Sequence, residues 1–279
     1  MESVAAYLRF DPPAGQRDVV DHYWMIEAPG SSSEVKREIL IPNGRPGMAI
    51  ALAEPGVRHD PLTGAQWTND AALFGVMTRP HVLTQTGVSS YVGAELKPWG
   101  IAALGLSDRL VDDVLPFASW TDAATTERLV LELAGAGFGP PRADKLAEFL
   151  GPRLQVLPRS ELLDHAVQVI DRAQGSGSVA SVAAALGISY SSLYRLFVGS
   201  IGLGPKQFGE IIRYFNFVGG LLGGPADATA TLAALHGYYD QAHAARDFKR
   251  YTGVGATSFR AVQNGIAALM HERSVQDGS

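Results

Sequence analysis

The chain has 279 residues, of which 46% are hydrophobic and 18% charged, a balance that builds a sizeable core and excludes a disordered chain. It has no cysteine, which removes disulfides, thiolate metal sites and a cysteine nucleophile together and fits a reducing cytoplasm. The formal net charge of −5 speaks at first against nucleic acid, but the charge is uneven: net −6 over residues 1–158, +1 over 159–279, and +3 from Ser189 to Arg260.

The start, Met1-Glu2-Ser3, lacks a basic-then-apolar signal pattern, and no apolar run reaches about 18 residues, so neither a signal segment nor a membrane span is expected. The first hundred residues read as strands and turns. Short apolar runs (Met48–Leu52, Ala72–Val76, Tyr91–Ala94) are punctuated by Pro42-Asn43-Gly44, Glu54-Pro55-Gly56 and Thr78-Arg79-Pro80, which predicts a small barrel or sandwich. Ile101, Leu104 and Leu106 begin a helix. Thr125-Thr126-Glu127 caps a helix carrying Leu129, Val130 and Leu133. The segment from Gly135 to Pro141 breaks it, and a further helix runs from Ala143 to Val156, ended by Pro158. A domain boundary is expected there.

Beyond Pro158 the chain reads as all-helical, and one pattern occurs twice. In the first copy, Ser178 to Phe197, Ser178 caps a helix with Val179, Val182, Ala183 and Leu186 along one stripe. Gly187 makes the turn, Ile188 plugs it and Ser189 caps the next helix. There Leu193, Leu196 and Phe197 face inward, leaving Ser191, Tyr194 and Arg195 outward, the layout of a major-groove reader. The second copy runs from Thr229 to Tyr251. Leu232, Ala233 and His236 face inward, Gly237 turns, Tyr238 plugs and Asp240 caps. Ala244 and Phe248 point inward, Gln241, His243, Ala245 and Arg246 lie opposite, and Lys249 and Arg250 reach phosphate. Between the copies, Pro205 to Leu222 predicts a spacer helix with Phe208, Ile211, Ile212, Phe215 and Val218 along its inner stripe. Such a spacer sets two reading helices about 34 Å apart, one DNA turn. Gly219-Gly220 and Gly223-Gly224 loosen its end.

The segments Gly187–Phe197, Gly202–Phe208 and Gly237–Gly253 resemble the AraC/XylS family's DNA-binding domain over about residues 160–262. By that resemblance Ser191, Tyr194 and Arg195 match base-contacting positions of the first reading helix, and Gln241, His243 and Arg246 those of the second. Where the family has Thr-Pro or Ser-Pro after the glycine, this chain has Gly255-Ala256-Thr257. Tyr23-Trp24, Ile39–Gly44 and Val92–Gly100 resemble the cupin-like sensor domain found ahead of some AraC-type reading heads, over about residues 5–120.

The resulting expectation is an α+β chain: residues 1–120 a cupin-like β-barrel sensor, 121–158 a helical linker with a dimerisation role, and 159–279 the double helix-turn-helix reader. Its partners are double-stranded promoter DNA, a small-molecule effector, a second copy, and RNA polymerase if it activates. No cofactor or membrane is expected, and the location is the cytoplasm. Trp24, Trp67, Trp99 and Tyr91 are the candidate effector contacts, against the plainer reading that such aromatics are core. The alternative is a metal-dependent cupin-type enzyme with an appended helical module. His22, His59 and His81 are scattered with no His-x-His pair, so no metal site is expected.

Overall fold

The computed structural model describes residues 6–30, 35–106, 110–158, 160–223, 234–236, 238, 240–254 and 259. The described residues of the amino-terminal half form the strands β1 (Ala6–Phe10), β2 (Val20–Ala28), β3 (Val35–Leu40), β4 (Gly47–Ala51), β5 (Gly56–His59), β6 (Gln66–Asn69), β7 (Ala71–Phe74), β8 (His81–Thr86), β9 (Ser89–Leu96) and β10 (Val114–Pro116). They form two antiparallel sheets, one in the order β1-β2-β9-β4-β7-β10 and one in the order β3-β8-β5-β6. The expected barrel is therefore open. The chain crosses from the second sheet to the first between β6 and β7 with Asp70 alone between them, so covalent continuity turns that corner where a closed barrel would use a hydrogen-bonded ladder.

The helices that follow are α1 (Gly100–Ala103), α2 (Phe117–Trp120), α3 (Ala123–Gly135) and α4 (Pro140–Leu150). The cap of α3 is Asp122, whose carboxylate accepts from the Thr125 N–H at 2.7 Å, one turn ahead of the expected threonines. Helix α4 begins on Pro140-Pro141 and stops at Leu150, where a 3-10 turn (Gly151–Arg153) replaces the expected run to Val156. Pro152 has no N–H for the helical ladder, which ends it. Leu129, Leu133, Leu146 and Leu150 pack with Val20, Met25, Val92 and Leu96, so α3 and α4 cover a face of the first sheet. Buried Arg142 fastens them there. It donates to the Leu133 and Ala136 carbonyls at the end of α3 and pairs with Glu27 of β2 at 3.0 Å.

The last part consists of α5 (Ser160–Arg172), α6 (Val179–Ala185), α7 (Tyr190–Ile201), α8 (Pro205–Gly223) and α9 (Gln241–Thr252). Gly219 and Gly220 lie inside α8 without interrupting it. The core of these helices (Leu163, Leu193, Phe197, Phe208, Phe217 and Phe248 among others) also contains Ile39, Val76 and Trp99 from the strand-rich half. No single helix among the described residues is long and apolar enough to cross a membrane.

Candidate DNA interface and barrel cavity

The first unit forms as its caps dictate. Ser178 Oγ accepts from the Ser181 N–H at 3.0 Å and opens α6; Ser189 Oγ accepts from the Ser192 N–H at 3.1 Å and opens α7. Between them Gly187 takes a left-handed φ of +62°, which residues with a β-carbon seldom adopt. The two helices meet at 98°, inside the range of helix-turn-helix units. Val182, Ala183, Leu193 and Phe197 are buried beneath. Ser191, Tyr194 and Arg195 are exposed on the outer side of α7. Tyr190, 56% exposed, stacks on Tyr194 at 6.4 Å between ring centroids, which extends this face by an aromatic residue that the sequence pattern did not single out.

The second unit repeats the scheme around α9. Asp240 accepts from the His243 N–H at 2.6 Å. Ala244, Phe248 and Tyr251 are buried, while Ala245, Arg246, Lys249 and Arg250 are exposed. Tyr238 is buried against Phe217 of α8 at 5.2 Å, the plug that replaces an isoleucine, and His236 is buried nearby. Thr229 to Ala233, Gly237, the Gln241 side chain and Gly255 to Thr257 lie outside the described residues. His243 is half-buried, edge-on to Tyr238 at 5.2 Å, with Nε2 3.7 Å from Asp247 Oδ2. The same carboxylate accepts from Arg213 Nη2 of α8 at 3.3 Å, and Arg213 lies 4.6 Å over the Tyr238 ring. An arginine of α8 thus fixes α9, a link absent from the linear pattern.

A cavity of about 200 Å³ opens between the two sheets and α8. Trp24, Met48 and Ala94 line it from one sheet, Ile39, Arg58 and Leu83 from the other, and Phe215 and Leu222 from α8. Trp24 and Tyr91 are in its wall. Trp67 and Trp99 are not: the Trp67 ring lies against His81 at 5.4 Å, and Trp99 is buried among the helices, donating to the Asp18 carbonyl at 2.9 Å. Arg58 is a cavity residue that the sequence pattern did not single out. In β5 the parity is reversed, with Val57 exposed and Arg58 only 8% exposed. Burial draws the Arg58 pKa down to about 9, with the Tyr91 phenol opposing. Its guanidinium sits 3.6 Å over the Phe74 ring. A cation–π contact contributes about 0.5–2 kcal/mol, against several kcal/mol for burying an ion, so the ring offsets only part of the cost.

Two families match the chain. A helix-turn-helix domain profile covers residues 182–261, and a domain of unknown function, DUF6597, covers residues 8–107. No curated protein is detectably similar. Among solved structures, ToxT from Vibrio cholerae strain SCE256 with an unsaturated fatty acid bound superposes with a TM-score of 0.51 and 11% identity over 88% of this chain and 96% of its own. A 1.65 Å structure of Vibrio cholerae ToxT gives 0.51 and 11% over 87% and 99%. An AraC-type DNA-binding protein from Chromobacterium violaceum is 20% identical over 37% of this chain and 93% of its own, with a TM-score of 0.34. Residues 182–261 carry a helix-turn-helix domain of the AraC type. The caps at Ser178, Ser189 and Asp240, the Gly187 turn and the buried Tyr238 plug shape the helices of that domain.

Elsewhere in the chain, Asp21, His22 and Glu95 bring ligand-type atoms within 4.8 Å of one another. Cations and donors already serve them. Arg9 Nη2 is 3.0 Å from His22 Nδ1, Lys97 donates to Asp21 at 3.0 Å, and Asn43 donates to Glu95 at 2.9 Å. Burial raises the Asp21 pKa, but the His22 hydrogen bond with Lys97 and Arg45 outweighs it and holds the carboxyl below the usual range. The cluster is an ion-pair lattice on the first sheet. Arg45 beside it spans to the reader, pairing with Asp171 of α5 at 2.7 Å and lying 5.9 Å over the Phe208 ring of α8.

His59 is half-buried at the end of β5. His81 is 1% exposed, and neither ring nitrogen has a partner. Burial, reinforced by nearby Arg58, pulls the His81 pKa down to about 4, so the folded ring stays neutral where an unfolded one takes a proton. Stability linked to His81 is complete above its unfolded pKa of about 6.5 and is lost as pH falls from there toward 4, by on the order of 2–3 kcal/mol. His236, also depressed by burial, adds in the same direction. Urea denaturation at pH 7.5 and 4.5 should show this loss, and His81→Phe should shrink it; a variant with the wild-type pH dependence would exclude His81 as its source.

Proposed function

We propose that this regulator reads promoter DNA with α7 and α9 and that a small effector in the barrel cavity sets its occupancy. Ser191, Tyr194 and Arg195 read bases from the first unit. Gln241, His243 and Arg246 do so from the second, and Lys249 and Arg250 hold phosphate. Residues 1–120 act as sensor and 159–279 as reader. The α3 and α4 segment, with Leu131 exposed on α3, gives a dimer surface. The regulator acts in the cytoplasm as a regulator and not an enzyme, and it meets RNA polymerase if it activates.

One observation carries the effector part. Helix α8 lines the cavity with Phe215 and Leu222 and, through Arg213, holds Asp247 of α9. A molecule filling the cavity presses on the same rod that orients the second reading helix. ToxT, of the same fold, has been crystallised with an unsaturated fatty acid bound, which supports an effector role for the corresponding half here.

Selection of binding sites from a randomised DNA pool tests the reading. Wild type should return a consensus. Arg195→Ala should relax preference at one half-site at a cost of about 1–3 kcal/mol, while overall binding survives. An identical consensus from the variant would remove Arg195 from the base-reading set; no enrichment by wild type would overturn the DNA-reading assignment.

A further inference from the structure

We infer that the barrel cavity is a receptor for a small organic monoanion, with Arg58 taking its charge and Phe74, Trp24 and Met48 walling its apolar body. This rests on the effector reading above and gives that effector a chemical class. The first support is the reversed strand parity: an exposed valine beside a buried arginine is a local rule broken, and the Phe74 ring offsets only part of its cost.

The second is partnership. The other charges around the cavity have partners: Arg45 pairs with Asp171 through Nη2, although its Nη1 has none, Lys36 donates to the Pro29 carbonyl, Glu95 accepts from Asn43, and Glu38 has a partner of its own. Arg58 Nε has none, and among the described residues no carboxylate pairs with its guanidinium. The phenol of Tyr91 supports it electrostatically but is held neutral by burial. Asn69 Oδ1, lining the same cavity, is also unpartnered and leaves an acceptor for an N–H or O–H on the ligand. A buried cation with open N–H groups is the fixed half of a pair whose other half comes from outside.

The third is size. A cavity of about 200 Å³ is slightly larger than the roughly 150 Å³ that accepts benzene. A body of one ring or its aliphatic equal fits. The wall is mainly aromatic and aliphatic, which excludes inorganic anions that keep their hydration shell.

The test is isothermal titration of the full chain with benzoate and 4-hydroxybenzoate, against neutral benzamide and benzyl alcohol of the same shape. The carboxylates should bind at least about tenfold more tightly than the neutral compounds. Arg58→Met should lose that margin, and Arg58→Lys should keep most of it. Arg58→Met removes an unpaired buried charge, so its ligand-free melting temperature should not fall. If that variant does not fold, the margin between benzoate and benzamide on wild type decides. Equal binding of charged and neutral compounds, or carboxylate binding unchanged in Arg58→Met, overturns the charge assignment and leaves the cavity as an effector site. Silence of all four compounds overturns both.

Discussion

Phe208→Ala should destabilise the regulator by about 3–5 kcal/mol, the range for removing a buried aromatic ring. Phe208 is fully buried at the start of α8, edge-on to Phe197 of α7 at 5.7 Å and below Arg45. On its other side the strand-rich half approaches so closely that a β-carbon at Gly44 would stand 2.9 Å from the Phe208 ring. The ring therefore fills the junction of first reading helix, spacer helix and the loop at Gly44. Neighbours held this tightly cannot collapse into the hole, which puts the cost toward the upper end. Thermal unfolding should shift down by on the order of 10 °C. A shift under about 2 °C would show that the junction relaxes freely and is not the packing centre described here.

DNA binding should fall steeply with salt, and Lys249→Ala with Arg250→Ala should flatten that dependence. Both side chains stand exposed in the last turn of α9, beyond the base-facing positions. Each phosphate neutralised contributes about −0.9 to the slope of log affinity against log salt, so the double variant should lower its magnitude by about 2. The loss should be similar for matched and unmatched DNA, because a phosphate contact carries no sequence information. Fluorescence anisotropy from 50 to 200 mM salt distinguishes the outcomes. A flat wild-type plot would contradict phosphate-driven binding. An unchanged slope in the variant would move the phosphate contacts off this end of α9.

The reading head was legible because its determinants are local. Ser178, Ser189 and Asp240 cap the helix that starts directly after each of them, Gly187 needs no neighbour to favour its turn, and helical spacing alone assigned Leu193 and Phe197 to the inside. The cavity was not legible, because it depends on which strands meet. Arg58, Asn69 and Tyr91 belong to β5, β6 and β9, and only the sheet order brings them together. In β5 the buried position falls to Arg58 while the apolar Val57 faces out, which residue type alone does not foretell. Of the four aromatics put forward, Trp67 and Trp99 had the right chemistry and the wrong address. The Arg213–Asp247 link, 34 residues apart in sequence, was invisible for the same reason.

The mingling of Ile39, Val76 and Trp99 with the aromatic residues of the helical half means that no clean cut exists at residue 159. An isolated carboxyl-terminal fragment would carry raw apolar surface where those three side chains belong, and would be sticky and short-lived in solution. Melting of the intact chain should follow a single cooperative transition rather than two, because the interior of the helical half is completed by side chains of the strand-rich half. For a switch this joint ownership is useful: a disturbance felt by one half has no slack boundary in which to dissipate before the other half must answer it.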